Sequence, residues 1–248
     1  MSWVLITGAT SGIGLATAQL LATRSYKLIL LGRRKDRLDS LQKELSPKTE
    51  IKTFDFDLRD TTQIQGFLMA QKSLLNEVQI LINNAGLARG ADKIQDSNLE
   101  DIDEMIETNL TALLHLTRGL LPHLLKRGQG HIVNMGSVAG RIVYPKGAVY
   151  CATKFAVRAI SDGLRMDLLG TPIRVTNIEP GMVNTEFSEV RLNSKEKADQ
   201  VYQNMNPLTA QDIAETILWC LERPAHVNIQ ELVIYPTDQA SVGQVHRR

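Results

Sequence analysis

Short apolar runs alternate with longer segments of helical periodicity along most of the chain. The apolar runs predict seven strands, at 3–6, 27–31, 51–54, 80–83, 131–135, 174–178 and 232–235. The helical periodicity predicts six helices, near 13–23, 35–45, 62–76, 102–121, 149–168 and 210–221. Several strands are apolar almost without alternation, which is typical of strands covered on both faces. The pattern therefore predicts an α/β fold, in which a doubly wound parallel sheet of about seven strands is flanked by helices.

Residues 183–206 break this alternation, because they are polar and mixed in charge. Such a segment is suited to a mobile flap over a site. No Ser/Pro-rich linker and no internal repeat divides the 248 residues. We therefore expect a single domain over 1–248, with a substrate flap near 183–206.

The net charge of +1 gives no global field that would attract nucleic acid or a membrane surface. No stretch is long and apolar enough for a membrane helix, and the first strand begins too early to leave room for a signal peptide. The two cysteines, Cys151 and Cys220, form no metal-ligand pattern. We expect a cytoplasmic protein with no metal, nucleic-acid or membrane partner.

The turn after the first strand opens a helix and carries three spaced glycines. Glycines there allow a tight bend and a close backbone approach to a pyrophosphate at the positive end of the helix. An ordinary βα turn is the alternative, and the glycine spacing differs from that of the common dinucleotide fingerprint. The candidate cofactor-binding residues in this turn are Gly8, Thr10, Ser11, Gly12, Ile13 and Gly14.

Gly32, Arg33 and Arg34 end the second strand, where many NAD-binding domains have an acidic residue for the ribose 2′-hydroxyl. An arginine is planar, always charged and able to hold a phosphate through two hydrogen bonds. The missing acid and the two arginines favour a 2′-phosphate, and hence NADP(H), over a solvated basic turn.

Further candidate cofactor-binding residues follow three other strands, at the edge where parallel sheets bind ligands. They are Asp57 and Leu58 after the third strand, Asn84, Ala85 and Gly86 after the fourth, and Pro180 and Gly181 after the sixth. Asp57 is an equally good cap for the helix near residue 62, and the Asn-Ala-Gly segment alone is typical of a turn.

Tyr150 and Lys154 lie four residues apart in a predicted helix, so both side chains share one face. A cation about 4 Å from a phenol would lower its pKa by roughly three units and allow proton transfer at neutral pH. A chance pair on the solvated face is the alternative.

Ser137 follows the fifth strand at the ligand edge, where a turn or cap role is the simpler interpretation. Asn109, in an apolar helical stretch, is either a satisfied core amide or the holder of a water molecule.

Together these motifs resemble the short-chain dehydrogenase/reductase family over nearly the whole chain. The resemblance rests on the glycine turn, Asn83-Asn84-Ala85-Gly86, Asn109, Ser137, Tyr150-x-x-x-Lys154 and Pro180-Gly181, in that order. It implies a Rossmann-type fold, a nicotinamide cofactor and interconversion of a carbonyl and an alcohol. It makes Tyr150 the acid–base residue and places Ser137 on the substrate oxygen. Lys154 would bind the nicotinamide ribose and lower the pKa of Tyr150, and Asn109 would hold a water that links Lys154 to solvent.

The last third resembles a narrower branch, the NADP-dependent 3-hydroxy acid dehydrogenases, which includes serine and allo-threonine dehydrogenases. The similar segments are 184–191, 201–204 and 235–239. This resemblance implies NADP(H) as cofactor, Val183 and Thr185 as further cofactor contacts, and a homotetramer. The helices predicted at 102–121 and 149–168 also carry wider apolar arcs than contact with the sheet requires, which favours their burial against a partner subunit.

We expect a small-molecule substrate, a 3-hydroxy acid or its carbonyl counterpart. A buried carboxylate needs a cation, and Arg191 in the flap and Arg141 after Ser137 are the candidates. One alternative is a general carbonyl or 3-oxoacyl-thioester reductase. Another is a non-catalytic NADP-binding sensor, which would have no need of the Tyr–Lys–Ser–Asn set.

Overall fold

The computed structural model describes residues 2–248. Its strands are β1 (Trp3–Thr7), β2 (Lys27–Gly32), β3 (Ile51–Asp55), β4 (Val78–Asn83), β5 (Gly130–Met135), β6 (Ile173–Pro180), β7 (Val183–Asn184), β8 (Leu208–Thr209), β9 (Glu231–Ile234), β10 (Gln239–Ser241) and β11 (Gln244–Val245). Seven of them form one parallel sheet in the order β3-β2-β1-β4-β5-β6-β9. These are the seven strands that the apolar runs predict, so the predicted α/β fold is confirmed.

Helices cover both faces of the sheet. They are α1 (Gly12–Thr23), α2 (Lys35–Leu45), α3 (Thr61–Ala70), α4 (Lys72–Leu75), α5 (Leu99–Ile106), α6 (Ala112–Arg127), α7 (Ala148–Asp167), α8 (Phe187–Leu192), α9 (Lys195–Val201) and α10 (Ala210–Leu221). Successive strand side chains point to opposite faces. Val4 and Ile6 therefore pack with α1, α2 and α10, while Trp3 and Leu5 pack with α3 and α6.

Two predicted helices differ from the observed ones. The helix predicted at 62–76 is broken at Gln71, whose φ of −103° and ψ of 19° separate α3 from α4. The helix predicted at 102–121 begins earlier, with α5, passes through a π-helical turn at Glu107–Thr111 and continues as α6. α6 continues through Pro122. The proline removes one helix hydrogen bond, but Leu120 and Leu124 on either side of it remain buried and hold the helix in place.

The segment predicted as a flap, 183–206, contains β7, α8 and α9. It is tied to the body of the domain by the amide of Gly90, which donates to the carbonyl of Arg191 (2.9 Å), and within the flap Tyr202 Oη donates to the carbonyl of Val183 (2.8 Å). A further bond joins Arg89 Nη1 to the carbonyl of Val190 (2.9 Å). The flap therefore lies folded against the loop that follows β4.

The boundary between the two halves of the sheet lies between the neighbouring strands β1 and β4, because the chain passes from β3 at one edge to β4. The carboxyl ends of β1 and β4 flank a crevice. Asn84 bridges this crevice, because its Nδ2 donates to the carbonyls of Thr7 (2.9 Å) and Gly8 (3.2 Å). Pro180, predicted to follow the sixth strand, is instead its last residue and pairs with Ile234. The ligand edge of the sheet is thus assembled from strand ends distant in sequence.

None of the helices between residues 2 and 248 combines the length and apolarity that crossing a membrane requires. Within the same range, no group of three or more His, Cys, Asp and Glu side chains is arranged to hold a metal ion. Cys151 and Cys220 are both buried and free.

Candidate active site

A cavity of about 530 Å³ lies at the carboxyl ends of the strands, beneath the flap. Most of the residues predicted to form a site line it. They are Gly8, Thr10, Ser11, Gly12, Ile13, Arg33, Arg34, Asp57, Leu58, Asn84, Ala85, Gly86, Ser137, Tyr150, Lys154, Pro180, Gly181, Val183, Thr185 and Arg191. The structure therefore brings the predicted cofactor, catalytic and flap residues into one crevice.

The turn between β1 and α1 has the shape of a phosphate cradle. Gly8 and Gly12 have φ angles of +64° and +51°, which only glycine adopts freely. The side chain of Ser11, at the N-cap of α1, makes no capping hydrogen bond. The first N–H groups of a helix have no partner within it, so this end of α1 suits an anion. The turn therefore fits the pyrophosphate of a dinucleotide.

Gly14 lies outside the cavity, although it was predicted as a cofactor contact. A Cβ on Gly14 would lie 2.3 Å from the carbonyl oxygen of Gly8 and 2.5 Å from Asn84 Nδ2. The third glycine therefore lets α1 pack closely beneath the turn, and it shapes the cradle rather than touching its contents.

Charged side chains surround Arg33 and Arg34 at the cofactor end of the cavity. Arg34 Nη1 donates to Glu186 Oε2 (2.9 Å), and Arg37 Nη1 donates to Glu186 Oε1 (2.7 Å). Arg33 Nη1 lies 3.7 Å from carboxylate oxygens of Asp57 and Glu104. Three guanidinium groups therefore lie together at this end of the cavity, each paired with a carboxylate.

Asp57 does not cap the helix near residue 62. That role belongs to Asp60, whose Oδ1 accepts from the amides of Thr62 (2.9 Å) and Gln63 (3.2 Å). Asp57 instead binds Arg59 through two side-chain hydrogen bonds, of 2.7 and 3.0 Å. Burial acts to raise the pKa of Asp57, but the hydrogen bonds from Arg59 outweigh it and lower the pKa below its ordinary value.

Tyr150 lies at the other end of the cavity, on the first turn of α7, with 9% of its surface exposed. Its ring packs against Phe187 of the flap, with 5.6 Å between ring centroids. Burial raises the pKa of the phenol above its ordinary value of 10.0, because an apolar environment disfavours the phenolate. The Ser137 hydroxyl acts in the opposite direction. The phenol of Tyr150 therefore keeps its proton at neutral pH.

In this structure burial raises the pKa of Tyr150, contrary to the prediction that Lys154 lowers it. The Lys154 Nζ atom is 5.8 Å from the centre of the Tyr150 ring and donates to the carbonyl of Met135 (2.7 Å). Burial lowers the pKa of Lys154 itself from 10.5 to about 8. The ammonium is directed at the carboxyl end of β5, and the loss of solvent dominates both titrations.

Asn109 is a satisfied core amide, which was one of its two predicted roles. Its Oδ1 accepts from the amide of Leu87 (2.8 Å), and its Nδ2 donates to the carbonyl of Leu87 (2.8 Å) and to Thr153 Oγ1 (3.0 Å). It lies in the π-helical turn and does not line the cavity. Asn109 therefore fixes the segment after β4 against α7, which carries Tyr150 and Lys154.

Arg141 does not reach the cavity, which corrects its prediction as a substrate anchor. Its guanidinium is bonded to Glu179 and Glu231 at the ends of β6 and β9. Arg158 adds a further bond to Glu231 (2.8 Å). Glu179 is fully buried, and a buried carboxylate without a cation would be strongly destabilising. Arg141 is therefore committed to neutralising the strand ends.

Arg191 does line the cavity. Its Nη1 donates to Tyr144 Oη (3.0 Å) and its Nε donates to the carbonyl of Gly90 (3.1 Å). Of the two predicted anchors for an acid group, only Arg191 is positioned to meet a ligand.

The model of the short chain dehydrogenase family matches residues 2–196. The chain belongs to this family. Among curated proteins, it is 41% identical to an NADP-dependent 3-hydroxy acid dehydrogenase of Schizosaccharomyces pombe over 249 residues, which cover 99% of this chain and 96% of that protein. It is 44% identical to a sulfoacetaldehyde reductase of Chromohalobacter salexigens over 239 residues, 96% of this chain and 95% of that protein. The predicted resemblance to the family and to its 3-hydroxy acid dehydrogenase branch is confirmed.

Solved structures of the short-chain dehydrogenase family agree with this placement. The closed form of a serine dehydrogenase complexed with NADP⁺ is 42% identical and superposes with a TM-score of 0.92, covering 99% of this chain and 100% of that one. An alcohol dehydrogenase of Thermococcus sibiricus, complexed with 5-hydroxy-NADP, is 27% identical with a TM-score of 0.84, covering 96% of this chain and 98% of that one.

Tyr144, Glu186 and Phe187 are among the cavity residues of this short-chain dehydrogenase that the sequence prediction missed. Glu186 meets an arginine 152 positions earlier, and no local pattern predicts such an encounter. Tyr144 lies between Ser137 and Tyr150, ahead of Pro145 and Gly147, which indicate a turn. That turn signal, in the stretch between two site residues, was the available hint for Tyr144.

Proposed function

We propose that the protein is an NADP(H)-dependent oxidoreductase that interconverts a hydroxyl and a carbonyl group on small 3-hydroxy acids. The observation that carries this proposal is the placement of a buried, protonated Tyr150 beside Ser137, in the same cavity as a glycine cradle and a flap arginine. The NADP-linked names of the similar proteins support the cofactor, and the names of the 3-hydroxy acid dehydrogenases support the substrate class.

The residues present fit NADP(H). The amides at the start of α1 would hold the pyrophosphate, and Arg33 and Arg34 would hold the 2′-phosphate in exchange for their carboxylate partners. Gly86 would allow a close approach beside Asn109 Oδ1 and Lys154 Nζ, which a Cβ there would meet at 3.2 and 3.5 Å. The bound nicotinamide supplies or accepts a hydride at the substrate carbon.

The side chains of the chain itself would manage the proton. Tyr150 donates its phenolic proton to the substrate oxygen as negative charge develops there, which its raised pKa permits at neutral pH. The Ser137 hydroxyl holds the same oxygen and stabilises its charge. The Lys154 ammonium, fixed on the carbonyl of Met135, adds a positive charge on the same side of the cavity. Asn109 keeps these groups in register through Leu87 and Thr153.

Arg191 supports an acid as the substrate. A carboxylate taken into the cavity loses its water and needs a fixed partner, and an arginine can meet it with two N–H groups. Arg191 lies on the cavity wall and belongs to the flap. Binding of the substrate carboxylate by Arg191 would therefore be coupled to closure of the flap over the substrate. A general carbonyl or thioester reductase would leave this cation without an anion, and a non-catalytic sensor would leave Tyr150 and Ser137 without a role.

The experiment that tests this function is a substrate panel assayed with both NADP⁺ and NADPH. The panel contains 3-hydroxy acids such as serine and 3-hydroxybutanoate, their 3-oxo counterparts, and neutral alcohols and ketones of the same length. We expect turnover with the NADP pair and higher kcat/KM for the acids. Turnover of the neutral compounds alone would support the general carbonyl reductase, and NADP binding without any turnover would support the sensor.

We also propose a homotetramer in the cytoplasm. Large apolar side chains are exposed on helix surfaces: Leu114 (45%) and Leu125 (44%) on α6, Phe155 (39%) and Met166 (64%) on α7, and Trp219 (44%) on α10. Such surfaces suit contact with further copies of the chain. The two free cysteines suit a reducing compartment. Light scattering at micromolar concentration tests the assembly, and a monomer would contradict it.

A further inference from the structure

We propose that Tyr144 and Arg191 form a two-point clamp for the acid group of the substrate, and that Tyr144 is a specificity-determining residue. The inference rests on the proposed function and adds to it the partner that shares the acid with Arg191. Both side chains line the cavity that holds Ser137 and Tyr150. Their guanidinium and phenol groups are joined by the hydrogen bond from Arg191 Nη1 to Tyr144 Oη, at 3.0 Å.

The direction of that hydrogen bond leaves donors for a ligand. The Tyr144 oxygen accepts from Arg191, so this bond does not consume the O–H proton of the phenol. Arg191 uses its Nε toward Gly90 and its Nη1 toward Tyr144, and these two bonds leave the N–H groups of Nη2. One phenolic O–H and one guanidinium edge therefore lie side by side. Two adjacent oxygens of a carboxylate or a sulfonate match this pair of donors.

The charge state of the pair suits an anion. Burial raises the pKa of Tyr144 above its ordinary value of 10.0, and the neighbouring Arg191 acts to lower it. The phenol therefore remains protonated at neutral pH and is a donor. The Arg191 guanidinium lies over the Tyr144 ring, 5.5 Å from its centroid, which holds the two groups together as a unit.

A strained turn fixes Tyr144 in this position. The amide of Gly147 donates to the carbonyl of Tyr144 (3.2 Å), which closes a four-residue turn through Pro145 and Lys146. Lys146 has a φ of +64°, a conformation that is unfavourable for a non-glycine residue. Strain of this kind persists only where the surrounding structure enforces it, and it is concentrated at functional sites.

Gly147 provides the space for the Tyr144 ring. A Cβ on Gly147 would lie 2.3 Å from Cε2 and 2.6 Å from Cζ of that ring. Gly147 is also the N-cap of α7, the helix that presents Tyr150. The turn therefore sets the spacing between the group that holds the acid and the group that protonates the carbonyl. A fixed spacing selects substrates by the distance between their acid and their carbonyl.

The clamp also explains the attachment of the flap at this point. Arg191 belongs to α8, and its backbone carbonyl accepts from the amide of Gly90 (2.9 Å), while its side chain returns to the carbonyl of the same residue. An acid bound between Arg191 and Tyr144 would join the flap to the turn before α7. The competing explanation is that the Arg191–Tyr144 bond only holds the flap closed and has no contact with substrate.

Tyr144→Phe separates the two explanations. It removes the hydroxyl and keeps the ring on Gly147 and beneath Arg191. The assay is NADPH-dependent reduction of 3-oxobutanoate and of its neutral analogue 2-pentanone. We expect the kcat/KM for 3-oxobutanoate to fall about 10- to 100-fold, mainly through KM, because a hydrogen bond to a charged group is lost. The kcat/KM for 2-pentanone should stay within about twofold.

Two further variants complete the test. Tyr202→Phe removes a different flap hydroxyl, which binds the carbonyl of Val183, and should affect both ketones equally. Gly147→Ala displaces the Tyr144 ring without removing its hydroxyl and should reproduce the acid-selective loss, with NADPH binding by fluorescence as the check that the domain is folded. Equal losses on both ketones in Tyr144→Phe would overturn the clamp and assign the hydroxyl to flap closure. If the unmodified protein reduces neither ketone, the proposed function is overturned, and the clamp with it.

Discussion

The two ends of the cavity are built in different ways. The floor, which we define as Ser137, Tyr150 and Lys154, is held by backbone hydrogen bonds of Ser137 and Lys154 and by packing of Tyr150 against Phe187, with Asn109 bonded to buried groups behind it. The rim, which we define as Arg33, Arg34, Arg37 and Glu186, is held by ion pairs among exposed side chains, 38–51% accessible. Groups of the floor are fixed by the fold, whereas the guanidinium groups of the rim are held by exposed ion pairs and by hydrogen bonds of Arg34 and Arg37 to Thr10.

This difference matches the roles that we propose for the two ends, proton transfer at the floor and phosphate binding at the rim. Proton transfer requires groups placed within a few tenths of an ångström, so the floor is buried. The rest of the fold offsets the free-energy cost of burying its polar groups. Phosphate binding requires cations that can exchange one anion for another. Exposed ion pairs contribute only about 0–1 kcal/mol each, so Glu186 can release Arg34 and Arg37 at small cost.

Tyr150→Phe is expected to produce the largest effect, because it removes the proton donor from the floor without disturbing the rim. General acid–base catalysis contributes about 10²–10⁴-fold, and kcat should fall by that factor. The dissociation constant of NADPH, measured by fluorescence titration, should be unchanged. A loss in kcat below about tenfold would remove Tyr150 from the chemistry.

Changing Gly32 to Asp together with Arg33 to Ser should reverse cofactor preference. The unmodified protein should prefer NADP(H), and the double change places a carboxylate near the 2′-phosphate and removes a guanidinium. Loss of hydrogen bonds between charged groups predicts a fall in NADP⁺ affinity of about 10- to 100-fold, while NAD⁺ affinity rises or stays the same. A Cβ at position 32 would lie 2.8 Å from Thr10 Cγ2, so Gly32→Ala is the control for crowding. Equal use of NAD(H) and NADP(H) by the unmodified protein would count against a phosphate role for the rim.

Lys154→Met should weaken NADP⁺ binding and yet stabilise the fold at pH 7. Burial lowers the pKa of Lys154 from 10.5 to about 8, so its charge costs about 3 kcal/mol at roughly 1.4 kcal/mol per pKa unit. After subtraction of the lost bond to the carbonyl of Met135, we expect a gain of about 1–2 kcal/mol in the free energy of unfolding. Urea unfolding provides the measurement, with the exposed Lys48→Met as the matched control.

The pH dependence of the same unfolding experiment gives a second check. The unfolded chain keeps the Lys154 proton up to pH 10.5, whereas the folded protein releases it near pH 8. Because the unfolded state binds more protons in this window, the stability of the unmodified protein should gain from Lys154 as pH rises from about 8 to 10.5. Lys154→Met should lack this gain. A variant that is less stable than the unmodified protein at pH 7 would show that the floor carries no buried-charge cost.

Glu186→Gln should give the smallest effect. It removes the carboxylate that competes with a phosphate for Arg34 and Arg37, so NADP⁺ affinity should rise about two- to fivefold, as expected for exposed pairs. The gain should shrink at high salt, and NAD⁺ affinity should not change. Glu189→Gln alters the same charge on the exposed face of α8 and is the matched control. Unchanged or weaker NADP⁺ binding in Glu186→Gln would show that the rim pairs do not exchange.

The sequence predicts the floor better than the rim, for a physical reason. Tyr150 and Lys154 are related by helical spacing, and Ser137 and the glycine turn by their position after strands, so local rules locate them. The bond between Arg34 and Glu186 spans 152 positions, and no local rule predicts it. The contact between Arg191 and Tyr144 likewise depends on where the flap folds.

Charge states are harder still to predict from sequence. Arg141 follows Ser137 by four positions in the sequence, yet its guanidinium is bonded to Glu179 and Glu231. The spacing of Tyr150 and Lys154 predicts a lowered phenol pKa, whereas burial raises it. Burial is set by the flap and by Phe187, which become neighbours of Tyr150 only in the folded chain. Local spacing therefore identifies the reacting groups but not the energies of their proton transfers.

Hydrogen exchange followed by mass spectrometry, with and without saturating NADP⁺, most directly tests the claim that the floor is complete before the cofactor binds while the rim re-forms around it. At labelling times of seconds, α7 from Tyr150 onward should exchange equally slowly in both samples, because its backbone and side-chain bonds are already made. The first turn of α2 and the segment from Glu186 through α8 should gain protection as the rim pairs are exchanged for phosphate contacts. Increased protection in α7, with no change at the rim, would contradict the account.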